Sequence, residues 1–253
     1  MKILASDFDG TLFFDRSFKD EDIEKIREFQ KAGNRFGVCT GRPFAGVLEP
    51  CRGLIECDFY ILSSGALILD KDKKEIYKDI VDRKLVEEIY SKLCDEVEFY
   101  FQTAQGTYYL LPEKEELRRS LAIPASIPYT MIHSLNELPE DIFGLSLYAH
   151  TVEEGKRVTA KINEYVPSLE AFQNIVWIDV ARRGVSKGHG IQLMKEYYGY
   201  DEVAGIGDSY NDIPLLRNTT PSFTFHSSAE EVIREADIVV DSVAEAIDIL
   251  MTK

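Results

Sequence analysis

The amino-acid sequence predicts an α/β protein, with a parallel-sheet core and a second, α+β domain inserted into that core. Strand-like apolar runs alternate with amphipathic helical segments at both ends of the chain, as in parallel sheets with helical crossovers. The middle of the chain instead groups helices with pairs of neighbouring strands, which favours an antiparallel sheet. We therefore expect a catalytic core over residues 1–81 and 184–253 and an inserted cap domain over residues 82–183.

The first segment predicts β-α-β units. A strand over Lys2–Ser6 precedes a helix over Asp20–Lys31, in which Ile23, Ile26 and Phe29 recur at helical spacing before Gly33. The other predicted elements here are a strand over Arg35–Cys39, a short helix ending near Pro50, a strand over Asp58–Leu62, and a hairpin of Ala66–Leu69 and Glu75–Lys78.

The inserted segment predicts two helices packed on an antiparallel sheet. Its predicted elements are a helix over Arg83–Cys94, strands over Val97–Gln102 and Thr107–Leu111 joined by a turn at Gln105–Gly106, a strand over Gly144–His150, a helix over Val152–Val166, and strands over Leu169–Gln173 and Val176–Val180.

The last segment returns to alternating strands and helices, which continues the core. Its predicted elements are helices over Ser186–Tyr198, Asn211–Arg217 and Val243–Met251, and strands over Glu202–Ile206, Ser222–Phe225 and Ile238–Val240.

Charge and composition narrow the possible partners. The chain has 253 residues and a formal net charge of −15, which disfavours nucleic acid and anionic membranes. No apolar run reaches the length of a membrane span, and the N-terminus becomes acidic too early for a signal peptide. The four cysteines form no CxxC pair, which favours reduced thiols. We expect a cytoplasmic protein that is a monomer or a homodimer.

Two carboxylates follow the first predicted strand. Side chains alternate along extended backbone, so Asp7 and Asp9 start on the same side while Phe8 points away. Burying two close carboxylates is costly without a cation, so this spacing indicates a hard divalent metal and one carboxylate able to act as a nucleophile. Aspartates that form turns or cap a helix are the structural alternative.

Four short motifs stand at predicted strand ends or helix starts. Ligands of open parallel sheets bind outside the carboxyl ends of the strands, so the topology would gather these motifs in one crevice. They are Asp7-Phe8-Asp9-Gly10-Thr11, Cys39-Thr40-Gly41-Arg42, Ser186-Lys187-Gly188 and Gly207-Asp208-Ser209-Tyr210-Asn211-Asp212.

These motifs, in this order and with this insertion, resemble the haloacid dehalogenase (HAD) superfamily, and within it the Cof-type phosphatases with a large inserted cap, subclass IIB. The resemblance implies a HAD-like Rossmannoid core. It implies that Asp7 is the nucleophile that forms an aspartyl-phosphate, and that Asp9 is the general acid and then the general base. It also implies a Mg²⁺ ion held by the Asp7 and Asp208 carboxylates and the Asp9 backbone carbonyl.

The resemblance implies phosphate contacts as well. Thr40 would donate its hydroxyl and Gly41 its backbone N–H to the transferring phosphoryl oxygens, and an ordinary helix-capping threonine remains the alternative for Thr40. Lys187 would neutralise the phosphoryl group and Asp7, against the alternative of a solvated surface lysine. Asp212 would bind the metal through water or hold Lys187, or else cap a helix near Pro214.

Three further residues complete the expected site. Asn211 would contact the phosphate or a metal-bound water. Arg42 would clamp the phosphate or a second anion, or else be a surface arginine packed by Pro43. Ser64 stands where Cof-type relatives usually have an asparagine that faces the substrate, so this contact departs from the family pattern.

Substrate specificity is expected from the cap. Candidates for binding a second anionic group are cationic or potentially cationic, with ordinary surface or core roles as the alternative: Arg118, Arg119, His133, His150, Arg182 and Arg183. Four aromatic residues would line either a substrate pocket or the core: Tyr108, Tyr109, Tyr148 and Trp177.

The predicted function is a Mg²⁺-dependent phosphatase that hydrolyses a small phosphorylated metabolite, such as a sugar phosphate, through an aspartyl-phosphate. The alternatives are a phosphomutase, which must protect the same intermediate from water, and a non-catalytic small-molecule-binding relative. The large insertion argues against the first alternative. The presence of Asp7, Asp9, Lys187 and Asp208 together argues against the second.

Overall fold

The computed structural model describes residues 1–117 and 129–252 and divides into two compact units. The first, here called the core unit, comprises Met1–Gly41, Leu48–Lys78 and Ser186–Lys253. The second, here called the cap unit, comprises Arg42–Val47 and Asp79–Val185. The α/β fold class is confirmed. The assignment of catalysis to one unit and specificity to the other stays a prediction.

Strands and helices are numbered along the chain. The strands are β1 (Ile3–Ser6), β2 (Phe13–Phe14), β3 (Ser17–Phe18), β4 (Arg35–Cys39), β5 (Phe59–Leu62), β6 (Leu67–Asp70), β7 (Glu75–Lys78), β8 (Glu98–Thr103), β9 (Gly106–Leu110), β10 (Tyr129–Ile132), β11 (Ile142–Tyr148), β12 (Leu169–Asn174), β13 (Trp177–Arg182), β14 (Ala204–Ile206), β15 (Ser222–Phe225) and β16 (Ile238–Val240). The helices are α1 (Asp20–Lys31), α2 (Phe44–Cys51), α3 (Arg83–Leu93), α4 (Val152–Tyr165), α5 (Lys187–Tyr198), α6 (Ile213–Arg217), α7 (Glu230–Ile233) and α8 (Val243–Thr252).

The core unit is organised around an eight-stranded sheet, in the order β16-β15-β14-β1-β4-β5-β6-β7. The strands from β16 to β5 run parallel, whereas β6 and β7 extend the sheet in antiparallel fashion. Ser6 at the end of β1 pairs with Val38 on one side and Ile206 on the other. This register brings the carboxyl ends of β1, β4 and β14 side by side, which is where parallel sheets bind ligands.

The cap unit contains a six-stranded sheet, in the order β10-β9-β8-β11-β13-β12. The β10–β9 pair is parallel and the other pairs are antiparallel. Helices α3 and α4 pack on one face of this sheet, where Val86 and Ile162 join a buried apolar cluster with Phe99, Leu147 and Val180. Because side chains alternate along a strand, residues of the other parity point to the opposite face.

Several elements differ from the sequence-based prediction. The turn between β8 and β9 is centred on Ala104 and Gln105 rather than on Gln105–Gly106, since Thr103 pairs with Gly106. The segment predicted as one helix over Asn211–Arg217 begins as a 3-10 turn and becomes α-helical only at Ile213. Strands β2, β3 and β10 and helix α7 were not predicted, because segments of two to four residues are too short to show a period.

The structure also bears on membrane insertion. Within residues 1–117 and 129–252, none of the helices combines the length and the apolar character that a membrane span requires.

Candidate active site

Asp7 lies at the end of the central strand of the core unit. Its backbone N–H donates to the Ile206 carbonyl at 2.8 Å, which extends the β1–β14 pairing by one residue. The residue is only 4% exposed. The Lys187 Nζ donates to Asp7 Oδ1 at 2.5 Å. The strand end therefore presents a buried carboxylate that is held by a buried cation.

Lys187 is the first residue of α5 and is 2% exposed. Ser186 caps this helix, because its side chain accepts a hydrogen bond from the His189 N–H at 3.1 Å. The Lys187 Nζ also donates to Asp212 Oδ1 at 2.5 Å. Burial lowers the pKa of Lys187, but Asp212 and Asp7 more than offset this effect, so the pKa is raised and the lysine stays charged. The alternative of a solvated surface lysine is excluded by its burial.

Asp7, Asp208 and Asp212 bring carboxylate oxygens within 4.8 Å of one another. Burial and the charge of Asp212 raise the pKa of Asp7 well above its ordinary value, although Lys187 opposes the rise. Burial likewise raises the pKa of Asp208, whose carboxyl group lies within hydrogen-bonding reach of Asp7. Three carboxylates around one lysine leave an excess of negative charge that a hard divalent cation would neutralise. The donor set therefore fits a metal ion such as Mg²⁺.

Asp212 organises the residues around it. Its Oδ2 accepts hydrogen bonds from the backbone N–H groups of Asp208 and Ser209, both at 3.0 Å, while its Oδ1 accepts from Lys187. Its side chain makes no capping bond to α6, which begins at the next residue. Of the roles considered for Asp212, the contact with Lys187 is the one that this geometry matches.

Sequence reasoning missed a side chain that fixes Asp208. The Thr11 hydroxyl is buried and donates to Asp208 Oδ1 at 2.7 Å. Gly10 sits beside this bond with φ +80, and a Cβ there would lie 2.7 Å from Asp208 Oδ2. The Gly-Thr pair after Asp9 was the available signal: glycine allows the close approach and the left-handed turn, and threonine supplies the donor.

Asp9 is exposed, in contrast to the buried Asp7. Between them, Phe8 is fully buried. Its ring lies 5.1 Å from Phe13 and 5.8 Å from Phe18, which belong to the small β2–β3 hairpin. Aromatic packing of Phe8 thus anchors the hairpin beside Asp9, and the placement of Asp7 and Asp9 on the same side stays a prediction.

Thr40 and Ser64 lie at the ends of β4 and β5. Thr40 is buried, its N–H donates to the Ile61 carbonyl, and its own carbonyl accepts from the Ser64 N–H at 3.0 Å. Ser64 has left-handed backbone angles, φ 57 and ψ 27. Asparagine adopts this conformation more readily than serine, which gives a backbone reason for the asparagine usual in Cof-type relatives.

Gly41 and Arg42 follow Thr40. Gly41 is half-buried, and Arg42 is 6% exposed and belongs to the cap unit. The Arg42 Nη1 donates to the Gly46 carbonyl at 2.8 Å inside α2. Its burial excludes the alternative of a surface arginine, and phosphate binding by Arg42 stays a prediction.

Asn211 carries a buried side-chain oxygen, Oδ1, that has no hydrogen-bond partner. Burying a polar atom without a hydrogen-bond partner costs free energy, so such an atom in a native site often binds a ligand or a water molecule. This observation favours the predicted contact of Asn211 with a ligand.

The arginines and histidines considered for binding a second anionic group have different surroundings. Arg118 and Arg119 lie outside the described residues. Arg182 pairs with Asp79 at 3.2 Å, and Arg183 donates to the Pro167 and Leu169 carbonyls, so both arginines have structural partners in the cap unit. His133 and His150 are exposed.

The aromatic candidates lie on both faces of the cap sheet. Tyr108 packs against the apolar cluster under α3 and α4. Tyr148 and Trp177 pair across β11 and β13 on the opposite face, and Tyr109 is fully buried there beside Tyr100.

Comparison with known proteins places this arrangement in a family. A family model described as haloacid dehalogenase-like hydrolase matches residues 4–247. Phosphatase YwpJ of Bacillus subtilis is 24% identical, with 94% of each chain covered. The Escherichia coli protein YbjI, named 5-amino-6-(5-phospho-D-ribitylamino)uracil phosphatase, is 22% identical over 93% of this chain and 89% of its own.

Solved structures share the fold. SMU.1108c from Streptococcus mutans superposes with a TM-score of 0.85 at 21% identity, covering 100% of this chain and 99% of that one. The HAD subclass IIB sugar phosphatase BT4131 superposes with a TM-score of 0.80 at 22% identity, with 100% of both chains covered. The predicted fold and the predicted enzyme class, a phosphatase, are confirmed. The protein belongs to the haloacid dehalogenase-like hydrolase family.

Proposed function

We propose that the protein is a Mg²⁺-dependent phosphomonoesterase that works through an aspartyl-phosphate on Asp7. The observation that carries this proposal is the buried Asp7 carboxylate, in contact with Lys187 and grouped with Asp208 and Asp212. A carboxylate can attack phosphorus only if the repulsion between its negative charge and that of the phosphate is neutralised. The Lys187 ammonium and a cation bound by the carboxylates of this cluster would supply the positive charge.

In the first step, an Asp7 carboxylate oxygen forms a bond to phosphorus and the bond from phosphorus to the ester oxygen breaks. The leaving alkoxide takes a proton from the Asp9 carboxyl group. The Lys187 ammonium stabilises the negative charge around Asp7, and Asp212 keeps the lysine in place. Thr40 and Gly41 donate hydrogen bonds to the phosphoryl oxygens.

In the second step, water attacks phosphorus of the aspartyl-phosphate and the Asp9 carboxylate takes a proton from that water. The bond from phosphorus to the Asp7 oxygen breaks, which releases inorganic phosphate and restores the carboxylate. The exposure of Asp9 suits this exchange of protons, and the burial of Asp7 suits a nucleophile shielded from bulk water.

The metal would be held by the Asp7 and Asp208 carboxylates and by the Asp9 backbone carbonyl. When bound, Mg²⁺ supplies positive charge that offsets the repulsion between the nucleophile and a phosphate dianion. The Thr11 hydroxyl orients Asp208 for that role, since it fixes one of its two oxygens.

The proposed substrate is a small phosphorylated metabolite of the sugar-phosphate type. YbjI is named for a substrate with a phosphorylated ribityl chain, and BT4131 is named a sugar phosphatase. Both names describe hydroxyl-rich leaving groups, which supports this class for the present chain.

The proposal is tested with p-nitrophenyl phosphate and Mg²⁺. We expect phosphate release that stops with EDTA, and we expect Asp7→Asn to lower kcat by roughly 10⁴-fold or more, because removal of a nucleophile has effects of that order. The matched control is Asp72→Asn, which removes an exposed carboxylate and should leave kcat unchanged. Mass spectrometry of acid-quenched wild-type protein should detect a phosphoryl group on Asp7.

Three outcomes would contradict the proposal. Turnover that persists in EDTA would remove the metal from the mechanism. Full activity of Asp7→Asn would show that Asp7 is not the nucleophile. A protein that releases no phosphate from any monoester would have a binding function instead.

A further inference from the structure

The peptide group between Gly207 and Asp208 is held at both of its polar atoms. The Thr224 hydroxyl of β15 donates to the Gly207 carbonyl at 2.8 Å. On the other side, the Asp208 N–H donates to Asp212 Oδ2 at 3.0 Å. A peptide group is planar, so one bond at its carbonyl and one at its N–H together fix its orientation. Thr224 therefore holds one side of a peptide group whose other side faces a carboxylate of the candidate active site.

Thr224 acts at the point where the β14–β15 pairing ends. The register of the two strands ends with Ile206 and Phe223, and the Gly207 N–H still donates to the Phe223 carbonyl at 3.2 Å. The Gly207 carbonyl then accepts from the Thr224 side chain, which is fully buried. A side chain of β15 thus holds the backbone that leads from β14 into Asp208.

Gly207 brings this peptide group close to Asp212. A Cβ at Gly207 would lie 2.5 Å from Asp212 Cγ, so a larger residue does not fit without a shift of its neighbour. Because the two groups are this close, a rotation of the peptide group would displace the Asp212 carboxylate or break its hydrogen bond.

Asp212 links the peptide group to the charged groups of the site. Its Oδ1 accepts from the Lys187 Nζ at 2.5 Å, and the same nitrogen donates to Asp7 Oδ1 at 2.5 Å. All three side chains are buried. Buried hydrogen bonds in series polarise one another, so the position of one member affects the next. A continuous series therefore joins the Thr224 hydroxyl to the Asp7 carboxylate.

Ser228 fixes the other end of the series. Its Oγ lies 2.9 Å from Thr224 Oγ1. A hydroxyl carries a single hydrogen and a carbonyl can only accept, so Thr224 donates to Gly207 and Ser228 donates to Thr224. These two bonds set the rotation of the Thr224 hydroxyl.

We propose that Thr224 is a positioning residue for phosphoryl transfer. It fixes the Gly207–Asp208 peptide group and, through Asp212, the Lys187 ammonium. This role rests on the proposed function, in which Lys187 stabilises charge around Asp7 and Asp208 binds the metal. Removal of the Thr224 hydroxyl leaves every reacting group present but no longer fixes their geometry, and groups that orient a metal site in this way typically contribute about 10- to 100-fold.

Thr224→Val, which replaces the hydroxyl with a methyl group, tests the role in catalysis. With p-nitrophenyl phosphate we expect kcat to fall about 10-fold and KM to stay within about 2-fold, because the groups that act on phosphorus are disturbed and the leaving group is not. Thr224→Ser keeps the hydroxyl and should retain most of the wild-type kcat. An equal loss in both variants would show that the hydroxyl is not the cause, which would overturn the proposal.

Mg²⁺ binding gives a readout that does not depend on turnover. Isothermal titration calorimetry with MgCl2 and no substrate should show about 10-fold weaker binding to Thr224→Val than to the wild-type protein, since the backbone of Asp208 is no longer held. Equal Mg²⁺ affinities of the two proteins would overturn the proposal.

Thr219→Val is the matched control. Thr219 is also a buried threonine of the core unit, and its hydroxyl also donates to a backbone carbonyl, that of Leu215, at 2.9 Å. Its substitution should cost similar stability and leave kcat and Mg²⁺ affinity unchanged. If Thr219→Val lowers kcat and Mg²⁺ affinity as much as Thr224→Val does, the effect is one of general stability and the proposal is wrong.

A second variant keeps the test decisive if Thr224→Val does not fold. Ser228 is half-buried, and Ser228→Ala removes the bond that orients the Thr224 hydroxyl, so kcat should fall about 2- to 3-fold. Unchanged kcat and Mg²⁺ affinity in Ser228→Ala would then overturn the proposal.

Failure of the proposed function has a different signature. If the wild-type protein binds Mg²⁺ but hydrolyses no phosphomonoester, the proposed function fails, and the calorimetric comparison still decides whether Thr224 positions the site. If the wild-type protein neither binds Mg²⁺ nor hydrolyses a phosphomonoester, both proposals fail.

Discussion

The site at the end of β1 and four polar side chains of the cap sheet, Thr107, Gln102, Ser146 and Asp179, are both polar clusters on β-sheets, but they differ in charge and in burial. We call these four side chains the polar row. The first joins three carboxylates and a lysine, with Asp7 and Asp212 both 2.5 Å from the lysine nitrogen. The second contains an amide, two hydroxyls and one carboxylate, and leaves one hydroxyl unsatisfied. The core cluster therefore consists of charged groups held by ion pairs, whereas the polar row consists mainly of neutral groups joined by hydrogen bonds.

The largest expected effect comes from removing the cation of the first cluster. Lys187→Met leaves two buried carboxylates without their partner, which should lower the free energy of unfolding by about 3–5 kcal/mol. Ser146→Ala in the polar row removes a hydrogen bond to the half-buried Asp179 carboxylate and one from the Gln102 amide, and should cost only about 1.5–3 kcal/mol. Urea unfolding of both variants measures this contrast, and equal losses would show that the two clusters do not differ as described.

Two buried threonines, one in each cluster, allow the same substitution to be compared, with a smaller expected effect on stability. The Thr11 hydroxyl donates to a carboxylate, so Thr11→Val should destabilise by about 1.5–3 kcal/mol. The Thr107 hydroxyl has no partner, so Thr107→Val, an identical change, should be neutral or stabilising by about 1 kcal/mol. Thermal unfolding of the two variants side by side provides the measurement.

Thr11→Val also has a functional readout. Since Thr11 orients Asp208, its loss should raise the Mg²⁺ concentration needed for half-maximal phosphatase activity by about 10- to 100-fold. Thr107→Val should leave that concentration unchanged. The assignment of Thr11 to the metal side of the site would be wrong if the two variants required the same Mg²⁺ concentration.

The smallest expected effect concerns Ser64. Asparagine tolerates the left-handed backbone of this position better than serine, so Ser64→Asn should raise the free energy of unfolding by a few tenths of a kcal/mol. Ser91→Asn, at an exposed helical position of α3, serves as the control and should bring no gain. A loss of stability in Ser64→Asn, measured by thermal unfolding, would show that side-chain packing rather than the backbone governs this position.

Much of the fold was predictable because its signals are local. The helical spacing of Ile23, Ile26 and Phe29 predicted α1 with the bounds that the structure shows, Asp20–Lys31. Short elements were not predicted, among them the β2–β3 hairpin. Its turn residues Asp15 and Arg16 adopt positive φ, and the turn contains no glycine that would have indicated it.

The sequence by itself determined which chemical groups stand at strand ends and helix starts, since turn residues and hydrophobic periods are encoded over a few neighbouring positions. Only the tertiary structure decided which of these groups meet. Thr11 and Asp208 are 197 residues apart, and Lys187 and Asp7 are 180 apart. The polar row likewise depends on strand register, because a slip of one residue would turn each side chain to the other face of the sheet. Register and long-range pairing result from packing of the whole chain, and no local pattern contains them.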